Sequence, residues 1–261
     1  MIRFFRILSL LLLFAGCLTA RGQELRTGIP TADGGYLAAG ERLCRLDVAG
    51  AILQNLPLAR PLRALASLDG RLYALDAAGR QLLELSDSGV ILAAQALGTK
   101  GRLRALGEGD GTLWAVTDAG EILRSEDGRR WSLQDFNTEY AGFYPRMDFR
   151  AVAAGGGAVM VAGLDEAGRL AVFSSSRGSV WSPRPLEYGG GQVADFEPVS
   201  LGYDPLPDAF CLAGGGGTLF TMPGCTHCNR LDRYPADVLY ARIPNGFSAL
   251  LLGSGGLRKT E

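Results

Sequence analysis

The chain has 261 residues, 47% of them hydrophobic, with 37 glycines and 26 Lys and Arg set against 27 Asp and Glu. That composition suits a folded protein rich in tight turns and excludes a disordered chain. A formal net charge of −1 argues against nucleic-acid binding through bulk electrostatics, and no stretch reaches the eighteen apolar residues of a membrane-spanning helix.

Taken in order, residues 1–22 read as an export signal. Arg3 and Arg6 form a charged start, Ile7 to Phe14 an apolar core, and Ala20 and Gly22 a small pair before a cleavage position. Phe14-Ala15-Gly16-Cys17 also resembles a bacterial lipobox in which Cys17 would be lipidated, with Phe14 standing where Leu is usual. Either reading places the mature protein outside the cytoplasm, in the periplasm or as an outer-membrane-anchored lipoprotein, with residues 23–261 as a single domain. Cys44, Cys211, Cys225 and Cys228 then become disulfide candidates, because an oxidising compartment favours bridges or buried thiols over metal ligands.

The remainder is a repeat. Similar openings recur at Leu62-Arg63-Ala64-Leu65, Leu103-Arg104-Ala105-Leu106 and Phe149-Arg150-Ala151-Val152, with Leu25-Arg26 as a fainter copy. Their spacing of roughly forty residues is that of four-stranded propeller blades. A Gly-bearing break and an apolar run follow each opening, at Gly70 to Leu75, Gly111 to Val116 and Gly157 to Ala162. Each run ends in an acidic-Ala-Gly turn and a third run succeeds it, as at Gln81 to Leu85, Glu121 to Arg124 and Arg169 to Phe173. A further unit takes Phe210 to Gly217 as its second strand and Thr218 to Met222 as its third. The last, from Val238, supplies three strands, and Gln23 to Ile29 is the candidate to complete it. Counting units gives six, with five or seven as alternatives because Arg42 to Gly50 fits either a second or a third strand. No segment shows sustained helical periodicity, so the class is all-β.

One turn is more specific. In Ser125-Glu-Asp127-Gly128-Arg-Arg-Trp131, the Ser and Asp oxygens can accept turn N–H groups, Gly128 can take positive φ, and Trp131 can cover the loop. A degraded copy keeps Ser174, Gly178 and Trp181 at longer spacing, with Ser176 where Asp belongs. These segments resemble the Asp-box of BNR-repeat, sialidase-like β-propellers. In pattern the chain is closest to the photosystem II stability/assembly-factor-like group, small Asp-box propellers that bind and assemble other proteins. That resemblance implies a non-catalytic binding module, with a basic patch for its partner. The alternative it leaves is a glycan-binding or glycoside-hydrolase propeller.

Candidate chemistry is thin. Arg242-Ile243-Pro244 is similar to the Arg-Ile-Pro motif of sialidases, but it follows both boxes instead of preceding them. No carboxylate pair at glycosidase spacing can be placed, and Asp127 is committed to a turn. The single histidine, His227, sits in Cys225-Thr-His227-Cys228, where a structural disulfide is favoured over zinc, with Cys211 as fourth ligand, or a redox pair. No Gly motif that would cradle phosphate precedes a helix, so no cofactor and no metal are expected. Arg63, Arg104 and Arg150 fall at one position in successive innermost strands, where they would form an arc around the channel, extended by Arg26 and interrupted by Glu197. Such an arc can hold a carboxylate or acidic peptide, or each arginine can simply bond nearby loop carbonyls. Tyr140, Phe143 and Tyr144, in the long aromatic connection from Asn137 to Asp148, either face a partner or plug a blade interface. Tyr188 to Gly191 and Tyr203 to Pro207 are expected on the same face. The expectation is a monomeric propeller that binds a protein segment or glycan in the cell envelope, meeting the membrane only through a lipid anchor.

Overall fold

The computed structural model describes residues 25–224, 227–246, 248–254 and 256–260. The segment expected to direct export, with Cys17, and Cys225 lie outside the described residues. Six radial blades form a ring, the last two sharing one sheet. Blade one comprises β1 (Leu25–Pro30), β2 (Tyr36–Gly40), β3 (Leu43–Leu46) and β4 (Ile52–Leu56), all antiparallel and in chain order from the centre outward. Blade two follows as β5 (Leu62–Leu68), β6 (Arg71–Asp76), β7 (Leu82–Leu85) and β8 (Ile91–Gln95). Blade three is β9 (Leu103–Gly109), β10 (Thr112–Thr117), β11 (Glu121–Ser125) and β12 (Ser132–Asp135), and leads into one short helix, α1 (Phe136–Glu139). Blade four is β13 (Met147–Gly155), β14 (Ala158–Asp165), β15 (Leu170–Ser175) and β16 (Ser182–Pro183). A small hairpin, β17 (Glu187–Tyr188) and β18 (Gly191–Gln192), precedes the final sheet of β19 (Pro198–Asp204), β20 (Ala209–Thr221), β21 (Cys228–Asn245), β22 (Ser248–Gly253) and β23 (Gly256–Thr260).

That final sheet departs from the repeat expectation. Phe210 to Thr221 is one strand, not two. The glycines at 214–217 do not turn the chain; they accompany two bulges, and β21 returns alongside, pairing Thr221 with Cys228 and Gly215 with Val238. Thus β19, β20 and the first part of β21 make blade five, and from Leu239 the same strand pairs with β22 and becomes the inner strand of blade six. The closure also differs. Residues 25–30 pair with β2 in their own blade, so they do not complete the last one, and the ring is sealed by side chains. Arg42 to Gly50 resolves as a third strand, β3, and the turn after it.

The core lies between blades. In β10, Leu113 and Ala115 pack with Tyr73, Leu75 and Leu82 of blade two, while Trp114 and Val116 pack with Phe149, Val161 and Phe173 of blade four. A strand buried on both faces must be apolar at every position, which is why the second strands read as unbroken hydrophobic runs. Tyr36, Cys44 and Leu46 meet Ile243, Leu250 and Leu252 across the seam where the ring closes.

Turns are set by local chemistry. Asp69-Gly70 and Asp110-Gly111 both hold positive φ, the mirror-image geometry that joins an inner to a second strand with the right twist. The third-to-fourth connections of four blades share one device, a side-chain oxygen bonding the loop. Asp47 accepts from Ala51 N at 2.8 Å, Ser86 from Val90 N at 3.1 Å, Ser125 from Gly128 N at 2.9 Å and Ser175 from Gly178 N at 2.8 Å. Ser175, not Ser174, is therefore the counterpart of Ser125; the two tryptophan turns have equal spacing, and Arg177 stands in the place of Asp127. Ser174 instead accepts from Arg184 Nε at 2.7 Å. In the first of these turns Asp127 Oδ1 accepts from Arg129 N and Arg130 N at 2.9 and 2.8 Å, bonds that hold its carboxyl well below the usual carboxylate range. Trp131 Nε1 donates to Gly128 O at 3.2 Å. A ring from the preceding blade covers each glycine, Tyr73 over Gly128 and Trp114 over Gly178, so closely that a Cβ on either glycine would strike it.

Candidate functional site

Each blade begins with an inner strand, and an antiparallel meander returns the chain to the same end before the next blade. All six inner strands therefore start at one mouth of the central channel. Each also carries a β-bulge near the point where it enters its blade. Register skips Arg26, Arg63, Arg104, Arg150, Val199 and Tyr240 in turn. A bulge kinks the strand and re-aims the extra side chain, and six equivalent bulges put these residues round one rim. The channel below holds about 890 Å³ and is lined by residues of all six inner strands, including Arg26, Arg63, Arg104, Val199 and Tyr240.

The four arginines are not alike. Arg150, held between two carboxylates, donates to Asp148 Oδ2 at 3.0 Å and to Glu197 Oε1 at 2.5 Å. Burial works against its charge, but those two bonds outweigh it and the net shift is upward. Arg150 does not line the channel. Arg104 is intermediate, 3.2 Å from Asp118 Oδ2 and 3.9 Å from Asp148 Oδ1. Arg63 donates from Nε and NH2 to the carbonyl of Ala77 at 3.3 and 2.8 Å, and no carboxylate among the described residues pairs with it. Burial, then the charges of Arg104 and Arg26, pull its pKa down; at neutral pH a guanidinium stays protonated regardless. Arg26 lies over the Tyr240 ring, 5.7 Å from the centroid, so the first and last bulges touch across the seam. Glu41 adds a carboxylate to this stretch of the lining.

Glu197 was expected at the matching position in the fifth unit, but Val199 occupies that bulge; Glu197 lies just before it and binds Arg150. Tyr240 was not anticipated. Its signal was present, since Leu239-Tyr240-Ala241 matches Leu62-Arg63-Ala64 once the bulge is known.

The opposite mouth is built from first-to-second turns and is acidic. Glu108 lines the channel there, and burial pushes its carboxyl above the ordinary range. Tyr203 OH donates to Asp208 Oδ1 at 2.6 Å, which pushes the phenol up to about 12. Arg242 of the Arg-Ile-Pro segment is bound to Asp204 at 2.8 Å and lies over the Phe220 ring at 4.8 Å.

The aromatic connection divides. Tyr140 and Tyr144 stack on Phe136 at 4.6 and 6.0 Å, and Tyr140 OH accepts from Trp181 N at 3.0 Å, so both plug the interface of blades three and four. Phe143 is 82% exposed. This connection and the Tyr188 hairpin run between blades and belong to the arginine face, whereas Tyr203 to Pro207 joins β19 to β20 and lies on the other face, a correction to their expected grouping. Of the cysteines, Cys44 Sγ donates to Asn55 Oδ1 and Cys228 Sγ to Glu187 O, each at 3.2 Å; Cys211 is buried in β20. His227 is exposed beside Glu187, with 3.9 Å between Nδ1 and Oε2. Among the described residues no group of three or more His, Cys, Asp or Glu is placed to hold a metal ion.

This architecture is a six-bladed β-propeller, and it is similar in fold to several solved structures. The extracellular domain of BT4673 from B. thetaiotaomicron aligns at TM-score 0.63 and 12% identity over 94% of this chain; the chain spans only 32% of that one. YCF48 from Cyanidioschyzon merolae aligns at TM-score 0.58 and 12% identity, covering 91% of this chain and 95% of its own. Virginiamycin B lyase from Staphylococcus aureus aligns at TM-score 0.59 and 12% identity, covering 93% and 86%. No protein-family model and no curated protein matches the sequence. At these identities the likeness is one of fold.

Proposed function

We propose that the protein is an exported, non-catalytic propeller of the Asp-box type that captures an acidic protein segment on its arginine face. One observation carries this reading: Arg26, Arg63 and Arg104 converge on one channel mouth, and among the described residues neither Arg26 nor Arg63 makes an ion pair, Arg63 bonding a carbonyl and Arg26 lying over a ring. Like charges gathered at a rim cost energy in the free protein that an anionic partner would offset. Exposed Phe143 on the same face adds an apolar anchor beside the charge. The second turn's departure from the Asp-box at Arg177 leaves its Ser and Gly geometry unchanged, which supports the repeat reading. The sialidase alternative is weakened because Arg242 is already committed to Asp204.

The test is affinity capture from the native envelope with the mature protein, compared with Arg26→Glu/Arg63→Glu/Arg104→Glu. A partner lost in the triple reversal, at unchanged thermal unfolding, is the expected result. Capture indifferent to the reversal would sink the reading. Export and anchoring are checked separately, by labelling with radioactive palmitate: incorporation that disappears in Cys17→Ser marks the lipoprotein form.

A further inference from the structure

The rim has a direction that the binding-module reading, on which this inference rests, does not use. At one end of the channel Arg26 and Arg63 make no ion pair among the described residues, and Glu41 shares that stretch of the lining; at the other Glu108 is an anion that burial disfavours. Between them the lining is largely apolar, with Leu65, Leu106, Val152, Leu201 and Ile243 among its residues. The inner strands, about 20 Å long at roughly 3.3 Å per residue, set its depth. Its volume of about 890 Å³ lies in the range of small-molecule sites, and a folded segment would not enter it.

We propose that the channel itself takes a small organic carboxylate with an apolar body, its head held between Arg26 and Arg63 and its body extending inward past Leu65 and Leu106. The asymmetry orients the ligand. A carboxylate entering from the other mouth would meet Glu108, while at the arginine mouth it meets Arg26, exposed at the rim, and Arg63, whose partial burial has already removed some of its hydration, with Glu41 the one opposing carboxylate in that stretch of the lining. Tyr240, lying under Arg26, keeps that guanidinium at the rim. Arg104, partly satisfied by Asp118, contributes field and not a direct bond. The free acid of a fatty acyl chain and the C-terminus of a short apolar peptide present the same chemistry.

Calorimetric titration distinguishes these sources. Octanoate is compared with octanol and octylammonium, and N-acetyl-Leu-Ala-Leu as free acid with its C-terminal amide. The acid should bind at least tenfold more tightly than its neutral counterpart in one series, and the series with the tighter acid identifies the source. Arg26→Gln/Arg63→Gln should lower affinity at least tenfold, whereas Arg150→Gln, outside the channel, should change it less than twofold. Equal binding of acid and neutral forms, or no binding of any probe, would overturn the proposal, and so would equal losses in both variants. Failure here with envelope capture still dependent on the rim arginines leaves the protein-binding reading standing; loss of that dependence is its own, separate failure.

Discussion

Arg63 and Arg150 occupy the same bulge in blades two and four, and the protein uses them in opposite ways. Arg150 sits between Asp148 and Glu197 and ties blade four to the start of blade five. Arg63 bonds only a carbonyl and feels Arg104 and Arg26 more strongly than it feels Asp76 and Asp118. The repeat position fixes where the side chain points. Its neighbours from adjoining loops decide whether the charge is spent within the fold or left for a partner.

The sharpest way to break the comparison is to reverse both charges in turn. Arg150→Glu brings three carboxylates together in a half-buried site and should cost about 2 kcal/mol, a fall of roughly 4–8 °C in Tm. Arg63→Glu exchanges repulsion from Arg104 and Arg26 for attraction, set against new repulsion from Asp76 and Asp118, and should leave Tm within about 2 °C. Comparable losses in calorimetry would show that both arginines are structural. A smaller effect concerns salt. Capture by the rim should weaken severalfold between low salt and 0.5 M NaCl, because half-exposed charges are screened. The Arg150 bonds are direct contacts at 3.0 and 2.5 Å, within the screening length, so Tm should change little over the same range.

Acid should sharpen the difference between blades. Asp127, Asp135 and Asp165, all in blades three and four, have carboxyls held below their ordinary range: by the Arg129 and Arg130 N–H groups, by Lys100, and by Arg169 against the opposing effect of burial. In blades one and two only Asp33 is shifted down, chiefly by Thr31. A depressed carboxyl contributes stability above its unfolded pKa, near 4, and loses it as pH falls through the folded value. Hydrogen exchange at pH 3 should therefore open the turns of blades three and four first; uniform opening would contradict this. The smallest effect belongs to the far mouth. Glu108 is shifted up by burial, so ionisation there opposes folding, and Glu108→Gln should raise Tm slightly at pH 7 but not at pH 3.

The two mouths also show what is legible in a repeat. The Asp-Gly turns at Asp69 and Asp110 could be read directly, because backbone sterics alone demand such residues there. The second tryptophan turn was misregistered by one residue at Ser174, because three consecutive serines offer the same hydroxyl and only its distance to Gly178 N selects Ser175. The long β20 and β21 were also hidden. Glycines at 214–217 signal a break locally, but pairing on both sides can hold such a run extended.

What the sequence determined by itself is the blade: alternation, turn residues and unbroken apolar runs depend on contacts within a few residues or on burial between two sheets. Arginines recurring at one place in the repeat were equally visible. Which of them are neutralised was decided only when the ring closed. Glu197 reaches Arg150 from the next blade to join Asp148 on Arg150's own strand, Tyr240 meets Arg26 across the seam, and Glu108 faces the channel's other end. Electrostatic character is a property of neighbours in space, and in a ring the first and last blades are neighbours.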